Sequence, residues 1–120
     1  HLPYTTLSDL GERIMDENYF NPIKMLQEAY ARGDGKLKSL HSAHFNVDFQ
    51  EGTVNNPNDI NGVLVEDLLI ASACRLKYYN EQVPDRNTSL AITKIEEALS
   101  HLYMRQQDRR ARNVEGTMKK

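Results

Sequence analysis

Two runs of helical periodicity, separated by a single break, constrain this chain more than anything else in it. Val65, Leu68, Leu69, Ser72, Leu76 and Tyr79 recur at 3, 4, 7 spacing over residues 64–82, and Ile92, Ile95, Leu99 and Leu102 follow the same rule further on. Apolar residues so spaced share one face of an α-helix. Between the runs, Val83-Pro84-Asp85 stops the pattern. Proline has no backbone N–H, and its ring clashes with the turn before it. A second helix is predicted to start near Asn87-Thr88-Ser89 and to run to about Arg112. Two long helices joined by so short a turn pack as an antiparallel pair. The spacing therefore predicts a helical hairpin over residues 63–113.

Upstream the patterns are shorter. Leu7, Leu10, Ile14 and Met15 fall at helical spacing around Gly11 and predict a short helix. Asn21-Pro22 opens another. Asparagine accepts from the open N–H groups of a first turn, and proline suits the first helical position. Ile23, Leu26, Ala29 and Tyr30 make its stripe, and Gly33 can end it in a left-handed conformation. Short N-terminal helices are thus expected within 7–32. In the strand region 36–52, Phe45, Val47 and Phe49 alternate with Asn46, Asp48 and Gln50, the period of a half-buried strand. An isolated strand is not stable, so this one must pair with residues 36–41 or with another subunit. Residues 53–62 are rich in Asn, Asp, Pro and Gly and read as an ordered loop. Such a loop beside a rigid hairpin is a candidate lid over a ligand. The fold class read from these patterns is α+β. A long antiparallel C-terminal helical hairpin joins a small antiparallel strand element and short N-terminal helices in one domain, residues 1–120.

Only 39% of the 120 residues are hydrophobic, below the roughly 45–50% (glycine included) of typical globular domains. So small and polar a chain is expected to cover part of its apolar surface with copies of itself. The lone cysteine, Cys74, allows no intrachain disulfide and suits a reducing cytoplasm. No run approaches the roughly 20 apolar residues that span a bilayer, and no secretory signal pattern opens the sequence. Residues 104–120 carry six basic and two acidic residues, a surplus of +4, which leaves −6 on residues 1–103 for a net charge of −2. A mildly acidic body with one basic end lacks the extended footprint that DNA or RNA needs, yet leaves room for a local site for a small anion.

That basic end carries the chemistry. Continued past Leu102, the apolar stripe of the second helix reaches Arg105, Gln106 and Arg109, with Arg112 a further turn on. Arg105 and Arg109 are i, i+4 neighbours on the face that was apolar one turn earlier. A guanidinium donates two parallel hydrogen bonds to phosphate and stays charged at any working pH. Two forks one turn apart could clamp a diphosphate, and Tyr78, Tyr79 and Tyr103 offer ring faces for a purine. The ordinary reading stands beside this one. Arginines near a helix C-terminus are more often a solvated end that complements the helix dipole, and the tyrosines are more often core or interface residues. Gly116-Thr117 could offer donors to a phosphate, or form a simple turn.

Other constellations are weaker. His41 and His44 are three apart in an extended segment, which points them to opposite faces, and no cysteine pair or acidic cluster joins them as metal ligands. Glu96 and Glu97 are adjacent on a helix and diverge, unlike a catalytic carboxylate pair; Glu96 and Asp108 could instead hold arginines in place. Ser89 and Cys74 have no histidine base nearby in sequence. No phosphate-binding glycine motif occurs. Neither a catalytic residue, a metal site nor a cofactor is expected.

Several stretches in order resemble one known family. They are Phe49-Gln50-Glu51-Gly52; the run Asp59-Ile60-Asn61-Gly62-Val63 through Glu66 to Leu68-Leu69; Arg75-Leu76; the run from Ser89 to Leu99; and Arg105, Asp108-Arg109, Arg112 and Val114-Glu115-Gly116-Thr117. Over residues 45–117 the chain is similar to the phage Thoeris anti-defence sponge family, whose hairpin is shared with phage anti-CBASS sponges. The resemblance implies a non-catalytic binder acting in the cytoplasm of the infected bacterial host. It would sequester cyclic ADP-ribose isomers made by bacterial TIR proteins. It also implies homodimers that assemble into hexamers, and in some members separate sites for cyclic di- or trinucleotides. Carried over by position, Arg105 and Arg109 hold phosphates and Tyr78 stacks on the base. Arg112, Gly116 and Thr117 fall in the same matched motif. Thr88 stands where the family often has asparagine, with Asn87 beside it, and Cys74 replaces a common aspartate.

The expected mechanism is stoichiometric capture. Affinity near 10 nM requires ~11 kcal/mol, and two charge-assisted clamps at ~1.5–3 kcal/mol each fall short of it. Stacking and water exclusion across a subunit interface must supply the rest. Two other readings compete: an enzyme that cleaves the nucleotide signal, and a purely structural oligomerisation module.

Overall fold

In the computed structural model the residues described are 15–16, 19–33, 39–41 and 45–112. Gly116 and Thr117, His44 and the helix expected over residues 7–14 lie outside them. The described residues are mostly helical, and the chain gathers into two compact units, residues 1–49 and 50–120.

The first unit holds β1 (Met15–Asp16), β2 (Tyr19–Phe20), α1 (Pro22–Arg32), β3 (Ser39–His41) and β4 (Asn46–Asp48). The strands pair antiparallel, β1 with β2 through Met15↔Phe20 and β3 with β4 through Leu40↔Val47. Met15 is therefore extended, which corrects the helix expected to include it. The residue before a proline is pushed out of the α region, so Asn21 sits at φ −115°, ψ 93°. A helix cannot continue through Asn21 into α1, and the aromatic pair Tyr19-Phe20 suits a strand. The start and stop signals of α1 hold: Asn21 Oδ1 accepts from the Lys24 N–H at 3.0 Å, and Gly33 closes the helix at φ 75°. Met25 and Ala29 are buried on one face of α1, while Ile23, Leu26 and Tyr30 are exposed. In β4 Val47 is buried between exposed Asn46 and Asp48.

The second unit is a loop followed by two helices, α2 (Val65–Gln82) and α3 (Arg86–Ala111). At 1.5 Å per residue these are about 27 and 39 Å long, so the end of α3 overruns the start of α2. The seam between them consists of Leu68, Leu69, Ala73 and Leu76 facing Ile92, Ile95, Leu99 and Leu102, all half-buried. Val65, Ser72 and Tyr79, which the sequence pattern placed on the same stripe, lie exposed beside it.

α3 starts at Arg86, one residue before the predicted Asn87, because Asp85 is the cap: its Oδ2 accepts from the Thr88 N–H at 3.0 Å. Asn80 braces the turn. Its Oδ1 accepts from the Asp85 N–H at 2.9 Å and its Nδ2 donates to Ser89 Oγ at 3.0 Å. At the start of α2 the Leu64 N–H donates to Asp67 Oδ2 at 3.0 Å. No described helix is long and apolar enough to cross a membrane.

Candidate ligand-binding site

The overrun of α3 meets the loop that leads into α2, and a cavity of about 660 Å³ opens there. Ligand sites typically enclose ~300–1,000 Å³, so a dinucleotide-sized molecule fits the range. Leu102, Arg105, Gln106 and Arg109 come from α3, and Leu64 and Glu66 from the start of α2. The remaining wall is the loop, through Gln50, Gly52, Thr53 and Val54. Residues from the start of one helix and the end of the other share a wall only because the hairpin is antiparallel.

Hydrogen bonds within the loop explain the glutamine, asparagine and glycine of the sequence motifs. The Gln50 N–H donates to the Val63 carbonyl at 2.8 Å. Its side chain spans the loop: Oε1 accepts from the N–H groups of Asn61 at 2.9 Å and Gly62 at 3.2 Å, and Nε2 donates to the Asp59 carbonyl at 3.0 Å. Asn61 answers from the other strand of the loop. Its Oδ1 accepts from the Glu51 N–H at 2.8 Å and its Nδ2 donates to the Glu51 carbonyl at 2.9 Å. At the tip Asp59 Oδ2 accepts from the N–H groups of Asn55 at 3.0 Å and Asn56 at 3.2 Å, around one 3-10 turn at Pro57–Asp59. Gly52 stands at φ 85° with open space where a Cβ would be. A side chain there would meet backbone strain and no clash. A loop this heavily cross-braced within itself is ordered, as its turn-rich sequence led us to expect, and it walls the cavity.

The expected site residues separate into groups. Arg109 continues the seam of Ile92, Ile95, Leu99 and Leu102 and is 8% exposed, the buried charged residue among those described. Other groups of the chain engage it, as a desolvated charge requires. Arg105, one turn earlier and to the side, is exposed on the cavity wall. Arg112 lies outside the wall: its Nη2 and Nε reach Asp108 Oδ2 at 2.9 and 3.1 Å. Asp108 thus holds an arginine in place, the role proposed for it from sequence.

Tyr78, Asn87 and Thr88 sit at the other end of the hairpin. Seventeen residues separate Thr88 from Arg105, about 26 Å of helix. One chain therefore does not bring Arg105 and Arg109 together with Tyr78. Tyr78 and Tyr79 are half exposed, with ring centroids 5.9 Å apart. The Arg75 guanidinium lies 5.1 Å from the Tyr78 ring and 4.5 Å from that of Tyr79. Sequence reasoning met Arg75 and Glu66 only inside the matched motifs and gave neither a role. For Arg75 the signal was its position three and four residues before two tyrosines. For Glu66 nothing local marked it as facing α3.

A helical hairpin with two arginines on the wall of a cavity at its open end has the chemistry to hold a small anion. Residues 41–106 match the model of the family described as "Acb2/Tad1, hairpin domain". Over 106 residues, covering 83% of this chain and 73% of the other, the sequence is 39% identical to "Thoeris anti-defense 1" of Bacillus phage SBSphiJ7. The chain belongs to this family of phage Thoeris anti-defence proteins.

Proposed function

We propose that the protein blocks bacterial immune signalling by capturing a cyclic ADP-ribose-type nucleotide without degrading it, in the cytoplasm of an infected host. One observation carries the reading. Arg109 is held nearly out of water beside Arg105 on the wall of a cavity of nucleotide size, in a chain whose relative is an anti-defence protein. Two guanidinium forks one turn apart match a pyrophosphate, and partial desolvation strengthens each charge-assisted bond.

The base would stack on Tyr78. Because that ring stands at the far end of the hairpin, a complete site takes its arginines from one protomer and its aromatic end, with Asn87 and Thr88, from a second. This is the physical reason for a dimer in which each chain contributes half of two sites. Gly116 and Thr117 would add donors beside the phosphates. Further assembly to a hexamer, and cyclic di- or trinucleotides held at separate places, complete the reading.

Titration calorimetry tests it. The wild type should bind a cyclic ADP-ribose isomer with sub-micromolar affinity, and Arg105→Ala with Arg109→Ala should weaken binding at least a hundredfold. Undiminished binding by the double variant overturns the site. Chromatography of ligand released by heating separates capture from cleavage: intact nucleotide supports the former, a new product the latter.

A further inference from the structure

Every charged group on the cavity wall is cationic except one. Glu66, half-buried in the first turn of α2, faces the same space as Arg105 and Arg109 on the last turns of α3. Its neighbour Asp67 performs the capping of α2, so Glu66 is not needed for that. Among the described residues, Glu66 and Arg105 are drawn into no ion pair with each other or with anything else. Opposite charges therefore stand across the cavity without closing it.

A carboxylate only accepts hydrogen bonds, and it repels phosphate oxygens. Whatever part of a ligand lies against it must present donors. A nucleotide whose phosphates sit on the arginines offers one such group at the right remove, the hydroxyls of its ribose; acidic side chains take ribose hydroxyls in this way in dinucleotide-binding folds. We propose that Glu66 is the specificity-determining residue of this site, accepting a ribose hydroxyl of the captured nucleotide. The inference rests on the capture reading above and sharpens it. ADP-ribose can be cyclised through its base or through one sugar hydroxyl, so the isomers differ in which hydroxyls remain to donate. A fixed carboxylate turns that difference into a difference in affinity. It also disfavours any analogue phosphorylated at the same hydroxyl, which would set two anions against each other.

Calorimetry with cyclic ADP-ribose and its monodeoxy analogues, one for each sugar hydroxyl, tests the assignment on wild type, Glu66→Ala and Glu66→Gln. Against the wild type, at least one analogue should bind roughly tenfold or more weakly than the parent, as loss of a bond to a charged group does. In Glu66→Ala the parent should be weakened by a similar factor and the penalty for that analogue should disappear. Glu66→Gln keeps the shape and an acceptor but not the charge, and should lie between. Circular dichroism checks that α2 is retained, and the isosteric Gln variant keeps the test open if the Ala variant does not fold. Should every analogue lose the same factor in wild type and variants, Glu66 has no such role while capture stands. Should the wild type bind no cyclic ADP-ribose at all, both readings fall.

Discussion

Arg105 and Arg109 differ by one helical turn and by most of their contact with water. Arg109 falls where the seam residues Leu99 and Leu102 direct the next buried position, whereas Arg105 flanks that line and is exposed. The same side chain is thus held in two surroundings: Arg109 is nearly desolvated and engaged by other groups of the chain, while Arg105 stands exposed on the cavity wall. Gln50 shows the opposite economy. Both ends of its amide are occupied by loop backbone, which leaves little for a ligand although it lines the cavity. Gln50→Leu should cost roughly 0.5–1.5 kcal/mol, since partly buried backbone groups of the loop lose a hydrogen-bond partner. Thermal unfolding should show a midpoint lowered by several degrees, and ligand affinity should fall with it; an unchanged midpoint would deny the loop its bracing role. Arg105 and Arg109 were legible as a pair from stripe spacing. The work of Gln50 was not, because it depends on backbone groups up to twelve residues away.

At the scale of the element, the turn between α2 and α3 decides how the hairpin closes. Pro84 ends one helix, but the start of the next is set by Asp85 and Asn80. Asp85→Ala removes the cap and should cost about 1 kcal/mol, read as a loss of a few degrees in the unfolding midpoint with the helical content of the folded state preserved. Serine, which can still accept from the Thr88 N–H, should recover most of it. The predicted start near Asn87 missed by one residue because Asp85 seemed part of the break, while its carboxylate belongs to the helix. The stripe of α2 was read too broadly for a related reason. Val65, Ser72 and Tyr79 repeat every seven residues but are exposed, whereas Leu68, Leu69, Ala73 and Leu76 are half-buried.

At the scale of the whole molecule, the hairpin leaves much apolar surface open. No residue of α2 is fully buried, and Val65, Ile70, Tyr78, Tyr79, Tyr103 and Met104 are each about half exposed. Exposed apolar area of this kind marks interaction surfaces. If a second protomer supplies the stacking end of each site, light scattering should give a mass that is a multiple of the 13.8 kDa chain. Tyr78→Asp with Tyr79→Asp should then lower that mass and the nucleotide affinity together. A variant that became monomeric yet bound at full strength would place the whole site within one chain. The sequence by itself determined the hairpin, its break at Pro84, the caps of α1 and the arginine pair, since all of these follow from spacing and local backbone chemistry. Only the tertiary structure decided that Glu66 shares a wall with those arginines, that the loop is a braced wall, and that Tyr78 stands at the other end of the hairpin from them. Those facts depend on which distant residues the antiparallel packing brings side by side, and periodicity along one chain carries no such information.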